Sequence, residues 1–258
     1  MFLFKRKSRD NKQNETQSEN IFKTISKKRD SECNYLTLMC FQKCVYDKDD
    51  SQNIVKYCSF QDVFEWETVI YLYLLDKHIS PSIHIKGKHI KYDTHDKISL
   101  YQYINDDKIS LKLLLNELFG FVCKFRDYNF LHGNLHVHNI FVNPDTFVRR
   151  GRFYVIDFSN SYLFDKADRS RPQYQRSSFL GEMDHKITSI FFEYWDFFTL
   201  YISLKLLLKN NLQNVVYLDN LIQNYIKPDV LDRFLTEYEK YNDTNILTFY
   251  LDKPKFVT

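Results

Sequence analysis

The stretch FLHGNLHVHNIFVN, residues 130–143, gathers His132, His136 and His138 within seven positions, together with Asn134 and Asn139. Histidines this close raise the question of a transition-metal site. No cysteine or acid stands beside these histidines to complete a ligand set. The spacing therefore favours a core His132, with His136 and His138 at the loop surface. Other polar residues sit in strongly apolar surroundings: Lys56 in NIVKYCSF, Glu67 in VFEWETVIYLYLLDKH, Asp157 between Ile156 and Phe158, and Asp196 in FFEYWDFFTLYISLKLLLKN. A charge in such a setting needs a partner, because an unpaired buried charge is costly.

Period and punctuation outline the elements that must position these residues. KRKSRDNKQNETQSEN reads as part of a basic disordered tail over 1–20. IFKTISKK (21–28) is a candidate first strand. YLTLMCFQKCVY (35–46) and NIVKYCSF (53–60) predict a hairpin with DKDDSQ as its connector. Apolar spacing predicts a helix over 63–78, ended by Pro81, and then two short strands, HIKGKHIKY (84–92) and ISLYQYI (98–104). Leu111, Leu114, Leu115, Leu118, Phe119, Val122 and Phe125 mark one face of a helix leading into the 130–143 segment. RFYVIDFSN (152–160) holds a short buried strand, 191–210 is apolar nearly all round and predicts a core helix, and 212–251 suggests two short helices. Arg149, Arg150 and Arg152 read as a solvated hairpin tip. Arg169, Arg171, Arg176, Ser177 and Ser178 lie in an irregular polar stretch. The fold class expected is α+β: sheet and helix over 21–105, then a mainly helical region over 106–258.

Composition narrows the function classes. Apolar residues make up 44%, with 23 Phe and 19 Tyr, enough for a sizeable core. Residues 1–31 carry nine Lys/Arg against four acids, so the net charge of +3 resides in the tail and no specific nucleic-acid face is expected. The five cysteines are odd in number and include no C-x-x-C, which argues against a disulfide scaffold and structural zinc and fits a reducing compartment. MFLF precedes KRK rather than following it, unlike a signal peptide. FFTLYISLKLLL (197–208), interrupted by Lys205, is too short to span a bilayer. An intracellular, cytoplasmic protein is expected. A single alanine amid abundant Asn, Lys, Ile, Tyr and Phe suits an AT-rich genome, such as that of a large DNA virus.

HGNLHVHN (132–139) resembles the H-R-D-L-x-x-x-N loop of the protein-kinase-like superfamily. YVIDFSN (154–160) resembles its strand and D-F-G, and IVK (54–56) is similar to V-A-I-K. The resemblance spans roughly 21–210 and implies a two-lobed fold, with a small antiparallel sheet plus one helix and then a reduced helical lobe. It also implies that ATP and Mg²⁺ bind between the lobes, with a protein as substrate or partner. By resemblance, Lys56 neutralises the α/β-phosphates and Glu67 holds that lysine, with Lys43 and Glu65 as substitutes. Asn139 and Asp157 hold the metal, while His132 and Asp196 tie the loop to the core helix.

The departures from the family pattern shape the functional expectation. Asn134 stands where the family has its catalytic Asp, and a neutral amide cannot take a proton from a substrate hydroxyl. The H-G-N form looks like the loop of the Janus-kinase pseudokinase domain. No glycine precedes Gly87, so there is no Gly-rich phosphate loop. Ser159 replaces the glycine of D-F-G, and no A-P-E is found. The expectation is a pseudokinase or weakly active kinase that holds Mg·ATP. The alternatives are an active serine/threonine-type kinase moving the ATP γ-phosphate to a protein hydroxyl, and a nucleotide-free interaction scaffold.

Overall fold

The computed structural model describes residues 44–48, 53–58, 61–105, 110–145, 153–163 and 194–241. The tail over 1–20, the strand over 21–28, Lys43, the arginines at 149–152, the polar stretch holding Arg169 to Ser178 and everything after 241 lie outside these residues. The fold is α+β, with small antiparallel sheets and several helices.

Strands β1 (Cys44–Lys48), β2 (Ile54–Cys58), β3 (Ile83–Lys86) and β4 (His89–Tyr92) form a four-stranded antiparallel sheet in the order β1-β2-β4-β3. Its register places Ile54 opposite Tyr92 and Lys56 opposite Ile90. Directly opposed residues share a face, so Lys56 lies on the face carrying Ile54, Ile90 and Tyr92, all of them buried. Helix α1 (Gln61–Leu74), extended by a 3-10 turn at Leu75–Lys77, follows β2. It buries Trp66, Glu67, Val69 and Ile70.

The hairpin β1–β2 forms as expected, but β1 runs to Lys48, into the presumed connector. Helix α1 stops earlier than Pro81 requires, because His78 turns the chain in the left-handed region at φ 53°. HIKGKHIKY is not one strand. Gly87, at φ 60°, supplies the left-handed turn that folds it into β3 and β4. ISLYQYI is not a strand beyond β5 (Ile98–Ser99), and Leu100–Ile104 is helix α2. There Ser99 accepts the Gln102 amide, while the Gln102 side chain accepts the Ser99 amide. This capping box overrides the strand propensity of the tyrosines and isoleucine.

Helix α3 (Leu111–Asp127) buries the predicted stripe from Leu114 to Phe125. Short strands β6 (Phe130–Leu131), β7 (Ile140–Val142), β8 (Phe153–Val155) and β9 (Tyr162–Leu163) frame the loop after it, with β5-β7-β8 forming one small sheet and β6-β9 another. Helix α4 (Trp195–Leu207) is buried on nearly every side, and α5 (Leu212–Ile222) and α6 (Pro228–Tyr241) follow. Two hydroxyls of α4 are satisfied within that helix: Thr199 donates to the Asp196 carbonyl and Ser203 to that of Leu200. One apolar cluster runs from Ile54 and Tyr92 through Phe119 to Phe234. Among the described residues no helix is long and apolar enough to cross a membrane.

Candidate functional site

Lys56 enters the interior because strand alternation puts it on the inner face of the sheet. It is 0% exposed. Its Nζ forms an ion pair with Glu67 Oε2 from α1 and lies 2.8 Å from Asp157 Oδ1, beyond β8. Both acids are buried. Two consecutive elements, β2 and α1, thus meet a residue 101 positions beyond Lys56 at one ammonium group. Each isolated charge would be expensive to bury, and the ammonium offsets one of the two carboxylate charges while bonding to both. Glu65 is exposed and accepts from Gln61 Nε2 at 3.0 Å, so Glu67 is the helix acid that reaches Lys56.

The second Glu67 oxygen is also engaged. Oε1 accepts the Tyr92 hydroxyl and, at 3.2 Å, the Phe158 amide. Tyr92 in turn accepts the Asp157 amide at 3.2 Å. Burial first and the Glu67 carboxylate second push the Tyr92 phenol well above the ordinary tyrosine value, so it remains a hydrogen-bond donor. Ser159 Oγ donates to Asp157 Oδ1 at 2.8 Å, joining Lys56 on that oxygen. Reasoning from sequence missed Tyr92. The signal was present in HIKY, where alternation sets a polar-tipped aromatic on the same face as Ile90.

The 132–139 loop is held from below by Asp196 in the first turn of α4. Its two oxygens accept the amides of His132 at 2.7 Å and Gly133 at 2.9 Å. Gly133 adopts φ 77°, a conformation that glycine permits, and its carbonyl accepts Trp195 Nε1 at 3.2 Å. The His132 ring donates from Nε2 to the Ile156 carbonyl at 3.0 Å, so Nδ1 is the acceptor for the Asn134 amide at 3.3 Å. His132 and Asp196 therefore join the loop to the strand leading into Asp157 and to α4. Burial pushes the Asp196 carboxyl up to about 7, against the two amide bonds that favour its ionised form.

Asn139 donates from its side-chain amide to the Asn134 carbonyl at 2.9 Å, which identifies its oxygen end. Its backbone carbonyl accepts the Ile156 amide at 3.1 Å, bringing Asn139 alongside the residue before Asp157. Asn134 is 3% exposed, and its Oδ1 has no hydrogen-bond partner. A buried acceptor left unmatched invites a donor from outside the chain. The surface placement expected for His136 and His138 is wrong: they are 2% and 5% exposed. The compact turn folds them inward, with the His138 ring stacked on Tyr101 of α2 at 4.7 Å.

The donor set can be matched to a cation by its chemistry. One carboxylate and one amide oxygen are hard ligands. No group of three or more His, Cys, Asp or Glu residues stands together among the described residues. A cation at Asp157 and Asn139 would draw the rest of its shell from water and a bound phosphate, as Mg²⁺ does and as Zn²⁺ in a structural site does not. No family model matches the chain, and comparison with curated proteins gave no match.

Proposed function

We propose that this chain is a protein-kinase-like protein with two lobes, which binds Mg·ATP between its sheet and its helical part and transfers phosphate slowly or not at all. The observation that supports this reading is the meeting of Lys56, Glu67 and Asp157 in one buried cluster, beside a loop that presents Asn134 and Asn139. When bound, Mg·ATP supplies the phosphoryl group and the cation that balances its charge. The residues of the chain position it. Glu67 fixes the Lys56 ammonium, whose charge faces the phosphates. Asp157 and Asn139 hold the cation, and His132 with Asp196 keeps their loop in place. Asn134 Oδ1 accepts a hydrogen bond from a substrate hydroxyl and orients it, but leaves the proton where it is. A positioned base contributes roughly 10²–10⁴-fold to such a reaction, so transfer is slowed by about that factor.

Thermal stabilisation and phosphorylation, measured together, test this reading. Mg·ATP at about a hundredfold excess over Kd stabilises the wild-type protein by about 2.7 kcal/mol, and Asp157→Ala removes the effect. Asn134→Asp raises Mg·ATP-dependent phosphorylation by about a hundredfold or more over a near-background wild type. Robust wild-type transfer that Asp157→Ala abolishes would instead make the protein an active serine/threonine-type kinase. One observation favours a nucleotide-free scaffold: Lys56 has no exposed surface, and its ammonium is already paired with two carboxylates of the chain. Absence of any Mg·ATP shift in both wild type and Asn134→Asp would establish that reading.

A further inference from the structure

We infer that Tyr92 is the positioning residue of this site: its hydroxyl holds Asp157 in a left-handed backbone conformation and couples it to Glu67 of α1. Asp157 has φ 71° and ψ 68°. An L residue with a side chain adopts that region at a cost, and keeps it only where its surroundings over-determine it. Here the amides on both sides of the Asp157 Cα are pinned. The Asp157 amide donates to the Tyr92 hydroxyl, and the Phe158 amide donates to Glu67 Oε1, each at 3.2 Å. Tyr92 donates its own proton to that same carboxylate oxygen.

The anchor is rigid. Tyr92 is 1% exposed and lies on β4, paired with Ile54 on one side and Ile83 on the other. A phenylalanine would fill the same space. What the hydroxyl adds is a joint between three pieces: the sheet, α1 and the segment carrying Asp157. Without it, the Asp157 amide loses the Tyr92 hydroxyl as an acceptor in a buried setting, and the left-handed turn loses that pin. Relaxation of φ toward negative values then swings the carboxylate away from Lys56. A second tie, Trp66 Nε1 to the Ser161 carbonyl at 2.9 Å, holds α1 to the same segment further on and survives the loss of the hydroxyl. Tyr92→Phe therefore removes the two bonds of the hydroxyl, to the Asp157 amide and to Glu67, and leaves that tie in place.

Amide hydrogen exchange on the ligand-free protein, wild type and Tyr92→Phe, is the test. The Asp157 and Phe158 amides should exchange about fivefold to tenfold faster in the variant, the worth of one hydrogen bond. The His132 and Gly133 amides, which Asp196 holds, should keep their rates. Unchanged exchange at 157–158, or an equal acceleration everywhere, overturns the inference, the latter because it marks only general loss of stability. In wild type alone, the Asp157 and Phe158 amides should open with those of α1 around Glu67, showing the same denaturant dependence. Independent opening of 157–158 overturns the inference even if the variant fails to fold. A second arm rests on the Mg·ATP reading: Tyr92→Phe should weaken Mg·ATP affinity by about tenfold. If the exchange result holds while wild type binds no Mg·ATP, the role of Tyr92 stands and the nucleotide reading falls. If both proteins bind equally and exchange is unchanged, the nucleotide reading stands and the role of Tyr92 falls.

Discussion

Asp196 shows how one residue's surroundings set its chemistry. Its carboxyl is fully enclosed at the start of an apolar helix and accepts two backbone amides, yet burial outweighs them and raises the pKa to about 7. An acid whose folded pKa lies above its unfolded value binds protons more tightly when folded. Its contribution to stability is complete below about pH 4 and is lost as pH rises through about 7. Wild type should therefore lose stability relative to Asp196→Asn between pH 5.5 and pH 8, by about 2 kcal/mol. Urea denaturation of both proteins at the two pH values measures this, and a difference that does not change with pH would show that the amide bonds prevail.

Among the elements, α2 illustrates a local device with a wider consequence. Ser99 ends β5 and caps α2 within one residue, so the chain turns from pairing with β7 into a helix whose Tyr101 stacks on His138. The cap thereby contributes to closing the 132–139 loop from outside. Ser99→Ala removes the acceptor for the Gln102 amide and should cost about 1 kcal/mol, lowering Tm by about 2–4 °C in a chain of this size. Calorimetry would detect the shift, and an unchanged Tm would mean that packing alone holds α2.

Among the described residues, the apolar cluster from Ile54 to Phe234 extends from the four-stranded sheet to α6. The Lys56–Asp157 pair and the Trp66–Ser161 bond tie the sheet and α1 to the segment between β8 and β9. Shared burial of this kind makes unfolding cooperative. The two tryptophans are natural reporters, Trp66 on α1 and Trp195 at the start of α4. Trp66→Phe and Trp195→Phe leave one reporter each, and both variants should show a single transition, with fluorescence and far-UV circular dichroism coinciding in each. Two separated transitions would show that the sheet and the helices unfold independently.

Long, strongly periodic segments were legible in the sequence. The stripe from Leu111 to Phe125 and the apolar run around Phe198 determine α3 and α4, because burial of one face, or of every face, leaves a period that local sequence carries. The residue types of the candidate site were legible too, since Lys56, Glu67, Asp157 and Asp196 are charges in apolar surroundings. Short elements were less so. In ISLYQYI a side-chain cap competes with strand propensity, and in HIKGKHIKY one glycine decides between a strand and a hairpin. What the sequence left open was partnership. Lys56 had two possible acids on one helix, and only the packing of α1 against the sheet turns Glu67 inward and Glu65 to solvent. The inward folding of His136 and His138, and the bridge from Tyr92 to Asp157, were likewise decided by tertiary structure. They depend on contacts between residues tens of positions apart, and no local period encodes which distant groups will meet.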